Sequence, residues 1–147
     1  MDTFSFTVIG GILVFVLGQM ILTLIIIPSQ ELKKSLAGLS HSLLLYQGKL
    51  TNASYDKEIS SEMKLKSAEI VSKTHVVLWY SMVRLIFGLP SRKNILSASR
   101  QLNLISYGML TENSDGSLSS NVDYSLEITK AIKEIGRLLS IKTNYSN

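Results

Sequence analysis

One stretch constrains the whole chain. Phe4 to Ile27 reads FSFTVIGGILVFVLGQMILTLIII and holds no charged residue. As a helix rising about 1.5 Å per residue it reaches about 36 Å, enough to cross a hydrocarbon core of about 30 Å with some tilt. A helix on a water-facing surface alternates apolar and polar faces, whereas this run is apolar all round. Two other uses of such a run stand beside the membrane reading. A buried core helix is usually shorter and more mixed. A cleaved signal peptide has a positive n-region, a shorter apolar stretch and a small-residue cleavage site. Here Met1-Asp2-Thr3 precedes the run and Pro28-Ser29-Gln30-Glu31 follows it. The expectation is an uncleaved anchor over residues 1–28.

Lysine and arginine near the ends of a span set its orientation. The N-terminal side has none, while Lys33 and Lys34 follow closely on the C-terminal side. The rule predicts the N-terminus outside and residues 29–142 in the cytoplasm, on a single-pass protein of the bacterial inner (cell) membrane. Within the run, Gly11 and Gly18 lie seven apart on one face, and Gln19 adjoins Gly18. Small residues allow close helix approach, and a membrane-buried amide can hydrogen-bond across an interface. The trio is a candidate self-association seam. The competing reading is that glycine is simply common in membrane helices, and the spacing is not GxxxG.

Pro28 lacks an N–H and disfavours helical geometry at the residue before it. A kink or a fresh helix start is expected there. Beyond it Leu32, Leu36, Leu39, Leu43, Tyr46 and Leu50 recur at steps of four and three. That is a heptad-like stripe for helix packing or for a partner, with Lys33, Lys34, Ser35, Ser40 and Ser42 free to face water or a partner. Thr51 to Ser54 reads as a turn. A second helix is expected from about Tyr55 to Leu78, with Ile59, Met63, Ile70, Thr74 and Leu78 on its apolar face and Asp56, Glu58 and Glu62 at its positive N-terminal end.

Val76 to Leu89 is a short apolar run with one charge, Arg84. It is too short to cross a bilayer, since about 14 residues reach about 21 Å. Ser91 is placed to cap a third long helix whose buried stripe is Ile95, Ala98, Leu102, Ile105 and Met109. Thr111 to Ser119 is polar, with a turn signal at Asp115-Gly116. A last helix is expected from Ser120, paired with Asp123 at its start, carrying Ile128, Ile132, Ile135 and Leu139. Residues 143–147 read as a flexible tail. The pattern predicts an all-α protein: one N-terminal transmembrane helix, then a cytoplasmic bundle of about four amphipathic helices joined by short connections.

The net charge of +4 is moderate. It favours anionic lipid headgroups and falls short of a dedicated nucleic-acid binder, so nucleic acid is an unlikely partner. With no cysteine and two histidines, His41 and His75, thiolate chemistry is excluded and a one-chain histidine metal cage is not expected. No phosphate-loop, dinucleotide, zinc-protease or nucleophile-elbow motif occurs. Paired carboxylates and a serine with an evident base are also missing. The expectation is a non-enzyme with no cofactor. The triplets Asn52-Ala53-Ser54 and Asn144-Tyr145-Ser146 matter only if the domain faces a secretory lumen.

Between Glu69 and Glu112 there is no acidic residue, while Lys73, Arg84, Arg92, Lys93 and Arg100 accompany Trp79, Tyr80 and Phe87. Cations beside an apolar, aromatic run suit an interfacial contact with anionic lipid or a partner. The alternative is that the aromatics fill the bundle core while the cations stay solvated. Pro28-Ser29-Gln30-Glu31, Trp79-Tyr80 and Gly88-Leu89-Pro90-Ser91-Arg92-Lys93-Asn94-Ile95, with Ser99 and Arg100, resemble a group of small uncharacterised bacterial single-pass inner-membrane proteins. The likeness covers roughly residues 4 to 110 and implies placement, with no transferable activity. Two roles follow from the whole pattern, and an enzyme whose site is assembled only in space, without a recognisable motif, stands as a third alternative. One is a membrane-anchored interaction or assembly module that forms a homo-oligomer or docks a protein partner. The other is a membrane-perturbing effector, such as a small toxin or a phage-defence or phage-exclusion component.

Overall fold

A computed structural model describes residues 3–110 and 118–145, and every regular element among them is helical. α1 (Thr3–Ile21) runs through a π turn (Leu22–Ile26) into α2 (Ile27–Leu45). The 40 residues from Phe6 to Leu45 form one helix, long and apolar enough near its N-terminus to cross a membrane. None of its apolar window is buried against the rest of the chain. This removes the core-helix reading of the run.

The expected kink or restart at Pro28 does not occur. Ile27, the residue before the proline, is helical with φ −59° and ψ −51°. The π turn supplies the reason. An α-helical Pro28 would drive its ring against the Leu24 carbonyl and leave that acceptor without its usual N–H. Widening the preceding turn, with the Ile27 N–H bonded to Leu22 O, relieves the crowding. Ser29 Oγ donates to Ile25 O at 2.6 Å, meeting another carbonyl of the disturbed turn.

Packing begins just beyond this turn. Leu32, Leu36, Leu39 and Leu43 of α2 are buried, as is Leu50 of the short α3 (Gln47–Thr51), and Tyr46 is half-buried against them. The stripe is therefore occupied within the chain. Burial of each leucine stabilises the fold by about 1.5–3 kcal/mol, and no unsatisfied stripe is left to recruit a partner. Ser35 and Ser42, expected to face water or a partner, are also buried. They lie three residues after Leu32 and Leu39, so they share the packed face. Each bonds back to its own helix and across to α4 (Lys57–Val76), Ser35 to Glu69 Oε1 at 2.8 Å and Ser42 to Glu62.

α4 (Lys57–Val76) runs antiparallel to α2, because Ser42 meets Glu62, Ser35 meets Glu69 and Glu31 meets Lys73. Asp56 caps it, accepting from the N–H groups of Glu58 and Ile59 at 3.0 and 3.1 Å. Ile59, Met63, Ile70 and Thr74 are buried as expected, but Leu78 is exposed, since the helix ends at Val76. α6 (Arg92–Gly108) returns along α4 and buries Ile95, Ala98, Leu102 and Ile105, with Met109 buried just beyond its end. Ser91 caps it through the Asn94 N–H at 3.1 Å. Paired serines join α4 to α6: Ser60 Oγ and Ser106 Oγ lie 2.8 Å apart and each also donates to the other's carbonyl, and Ser67 meets Ser99. Small side chains let these helices approach closely, while the reciprocal bonds satisfy the buried hydroxyls.

α7 (Leu118–Leu139) starts upstream of Ser120, so that serine is not its first cap. The side chains of Ser120 and Asp123, and the Asp115-Gly116 turn, lie outside the described residues. Ile128, Ile132, Ile135 and Leu139 are buried. The chain beyond α7 is not wholly a free tail. Ser140 takes a left-handed conformation (φ 55°), Ile141 N–H bonds Gly136 O, and Thr143 is buried over Gly136. A Cβ on Gly136 would stand 2.9 Å from Thr143 Oγ1, so glycine opens the space that Thr143 fills. Ser40 of α2 bonds Lys142 O, tying this end back to the start of the packed region.

Candidate membrane-facing surface

The junction between α4 and α5 (Tyr80–Phe87) departs most from regular structure. Val77 is extended and Trp79 is left-handed at φ 50°, ψ 41°. A bulky residue there carries a conformational cost of about 1–2 kcal/mol. The junction turns the chain by 111° into α5 (Tyr80–Phe87). Gly88, at φ 63°, ends α5, and Leu89 N–H bonds Arg84 O at 3.0 Å. Only glycine takes this conformation freely.

α5 is apolar on two faces. Tyr80 and Val83 turn inward and are buried, with Phe87 half-buried beside them. Tyr80 Oη donates to Pro90 O at 2.7 Å. Met82, Leu85 and Ile86 turn outward and are 66, 79 and 77% exposed, and Trp79 is 67% exposed. The two expectations for the aromatics thus divide: Tyr80 and, in part, Phe87 join the core, while Trp79 stands on the surface. Leu78 and Trp79 close an apolar pocket with Met20, Ile21, Leu24 and Ile25. The outer face of α5 is therefore continuous with the apolar surface of the long N-terminal helix.

Among the expected cations, Arg92 comes closest to the aromatics. Its guanidinium lies 5.1 Å from the centroid of the Tyr80 ring, a cation–π distance. With Trp79, Tyr80, Ser81 and Met82 it lines an open groove of about 670 Å³. Arg84 is exposed on α5, and Lys93 is exposed in the first turn of α6. Arg100 is exposed eight residues further along α6, about 12 Å from Arg92 by helical rise; it does not join the group. Lys33 does, with Nζ 5.8 Å from the Phe87 ring centroid. Sequence reading used Lys33 for orientation and left it free to face water or a partner, without placing it in this group. It also missed Met82, Leu85 and Ile86, whose spacing of three and one marks a helix face without saying which face remains outside.

Gly11, Gly18 and Gln19 are exposed on the N-terminal helix, and a Cβ on either glycine would meet nothing within 4 Å. Their surface is open to another helix, and nothing among the described residues covers it. At the other end of the π turn lies an ionic cluster. Lys73 Nζ is 2.9 Å from Glu69 Oε1, 3.5 Å from Glu31 Oε2 and 2.7 Å from Ser35 Oγ. Bonds from Lys73 and then Ser35 hold the Glu69 carboxyl below its ordinary range, and the same contact with Glu69 raises Lys73. Lys34 lowers Glu31 most. The contacts of Lys73 with Glu31 and Ser35, and of Ser35 with Glu69, fasten α4 to α2 and involve no histidine; His41 and His75 are both exposed. No group of acidic or histidine side chains able to hold a metal ion occurs among the described residues.

Comparisons with protein families, curated proteins and solved structures gave no match.

Proposed function

We propose that the chain is a single-pass protein of a bacterial cell membrane, with its N-terminus outside, and that α2, α4, α6 and α7 form a cytoplasmic bundle that serves as an interaction or assembly module. The carrying observation is the long helix, whose apolar window is wholly uncovered by the chain itself. Such a surface in water would be an outsized hydrophobic patch; in lipid it is at home. The placement of Lys33 and Lys34 supports the orientation.

Association is assigned to the span, since the leucine stripe is already buried. Gln19 carries an amide that is costly to leave unpaired in hydrocarbon, and Gly11 and Gly18 permit a second helix to come close. The test combines carbonate extraction, protease access to a C-terminal tag in spheroplasts, and mass photometry in detergent. Expected are a membrane-integral protein, a protected tag, and an oligomer weakened by Gln19→Leu. Extraction into carbonate, or a tag digested from the periplasmic side, overturns the placement, and a strict monomer with no co-purifying protein overturns the module.

The exposed apolar face of α5 favours a second reading, a membrane-perturbing effector. Overexpression with a potential-sensitive dye separates the two: collapse of the membrane potential supports the effector, and an unchanged potential supports the module.

A further inference from the structure

We infer that α5 is an interfacial membrane helix: Trp79, Met82, Leu85 and Ile86 enter the headgroup–acyl boundary of an anionic bilayer, and Arg84, Arg92 and Lys33 meet its phosphates. The inference rests on the proposed anchoring of α1 and adds a second membrane contact that anchoring alone does not require.

Depth is the first support. Leu78 and Trp79 border the same apolar pocket as Ile21 and Leu24. Ile21 lies six residues before Ile27, the end of the apolar run, and so about 9 Å below it. Interfacial helices bury their apolar face about 5–10 Å into the boundary. The side chains at the start of α5 thus stand at a depth where lipid already surrounds the anchor.

Direction is the second. α4 runs antiparallel to α2 and so heads toward the bilayer, and the 111° turn lays α5 across that course. The helix then travels mostly along the surface. The left-handed Trp79 makes this turn, and strain of that kind persists where surroundings or function enforce it.

Charge is the third. No acidic residue lies between Glu69 and Glu112, so nothing on α5 or the first turns of α6 repels an anionic headgroup. The groove between Trp79 and Arg92 places an apolar wall and a guanidinium side by side, the two chemistries of a phospholipid at its glycerol level. Arginine binds phosphate through a planar fork of donors.

Trp79 is the sole tryptophan, which makes the full-length protein its own probe. The protein is reconstituted in phosphatidylcholine vesicles with and without phosphatidylglycerol, and insertion is verified in each sample by carbonate resistance. The reference is Trp79→Phe with Tyr55→Trp, which moves the fluorophore to an exposed site just before α4, at the end remote from α5. Expected for Trp79 are a blue-shifted emission, quenching by lipids brominated near the headgroup, and severalfold protection from acrylamide relative to the reference. Phosphatidylglycerol should deepen all three, and Arg84→Gln with Arg92→Gln should remove that dependence. Carbonate-resistant protein whose Trp79 is as open to acrylamide as the reference overturns the inference while leaving the anchor intact. Shielding equal in neutral and anionic vesicles overturns the role of the arginines. Shielding in detergent that tracks a dimer fraction overturns it in favour of a second copy on α5.

Discussion

Truncating Leu39 separates a core stripe from a docking stripe. Leu39 lies in the middle of α2 with 0% exposure. Leu39→Ala removes the side chain beyond Cβ, about three CH2 equivalents at about 0.8 kcal/mol each, or about 2.4 kcal/mol of transfer free energy. The neighbours come from other helices and collapse only in part, so the cavity raises the loss to about 3–4 kcal/mol. For a packed body of roughly 115 residues each kcal/mol moves Tm by about 4 °C, giving a fall of about 12–16 °C. The control is Leu45→Ala on the same helix, where the leucine is 61% exposed and a change within about 0.5 kcal/mol is expected. Circular dichroism melts in mild detergent read both variants, and mass photometry reads their oligomeric state. A Leu39→Ala protein that melts within about 2 °C of the parent yet loses its oligomer would refute the reasoning, because the stripe would then face a partner.

Gly136→Ala would ordinarily gain about 1 kcal/mol of helix propensity, but the new Cβ meets Thr143 Oγ1 at 2.9 Å and Ile141 O at 3.2 Å; the expected net loss is about 1–2 kcal/mol, relieved by adding Thr143→Ala and read by the same melts. Asp56→Ala removes the cap of α4 and should cost about 1 kcal/mol, whereas Asp56→Asn should retain most of the stability. Glu69 has a lowered pKa in the folded chain, so its contribution is complete above the ordinary value of 4.5 and is lost as pH falls through the lowered one. Stability should drop on acidification below about that pH, and Glu69→Gln should show a shallower drop in a Tm series from pH 7 to 3.

Much of this fold is legible in the chain. The stripes on α6 and α7 are written in steps of three and four, that on α4 in steps of four and seven, and Ser91 sits one residue before the helix it caps. These are local signals acting within a turn or two. Ser35 and Ser42 read as solvent-facing because serine is polar, yet they pack because α4 offers Glu69 and Glu62 at the right heights, which is a property of two helices together. Pro28 misleads for a related reason. Its rule assumes an α-helical turn before it, and the chain substitutes a π turn. At the candidate surface, the charge pattern and the aromatics were visible, but both faces of α5 are apolar. Which face stays outside is decided by the left-handed Trp79 and the direction α5 takes, and neither is a matter of composition.

The uninterrupted helix through Pro28 has a mechanical consequence. A loop at that point would act as a joint, letting the anchor swing while the body stayed still. Here the same rod is both mast and keel. From Ile26 to Leu45 it extends about 28 Å, so a change of about 10° in its lean would carry the far end through about 5 Å. On the proposed placement, a change in bilayer thickness that re-angles the rod would be handed on to the helices packed along it as a displacement, with no slack to absorb it.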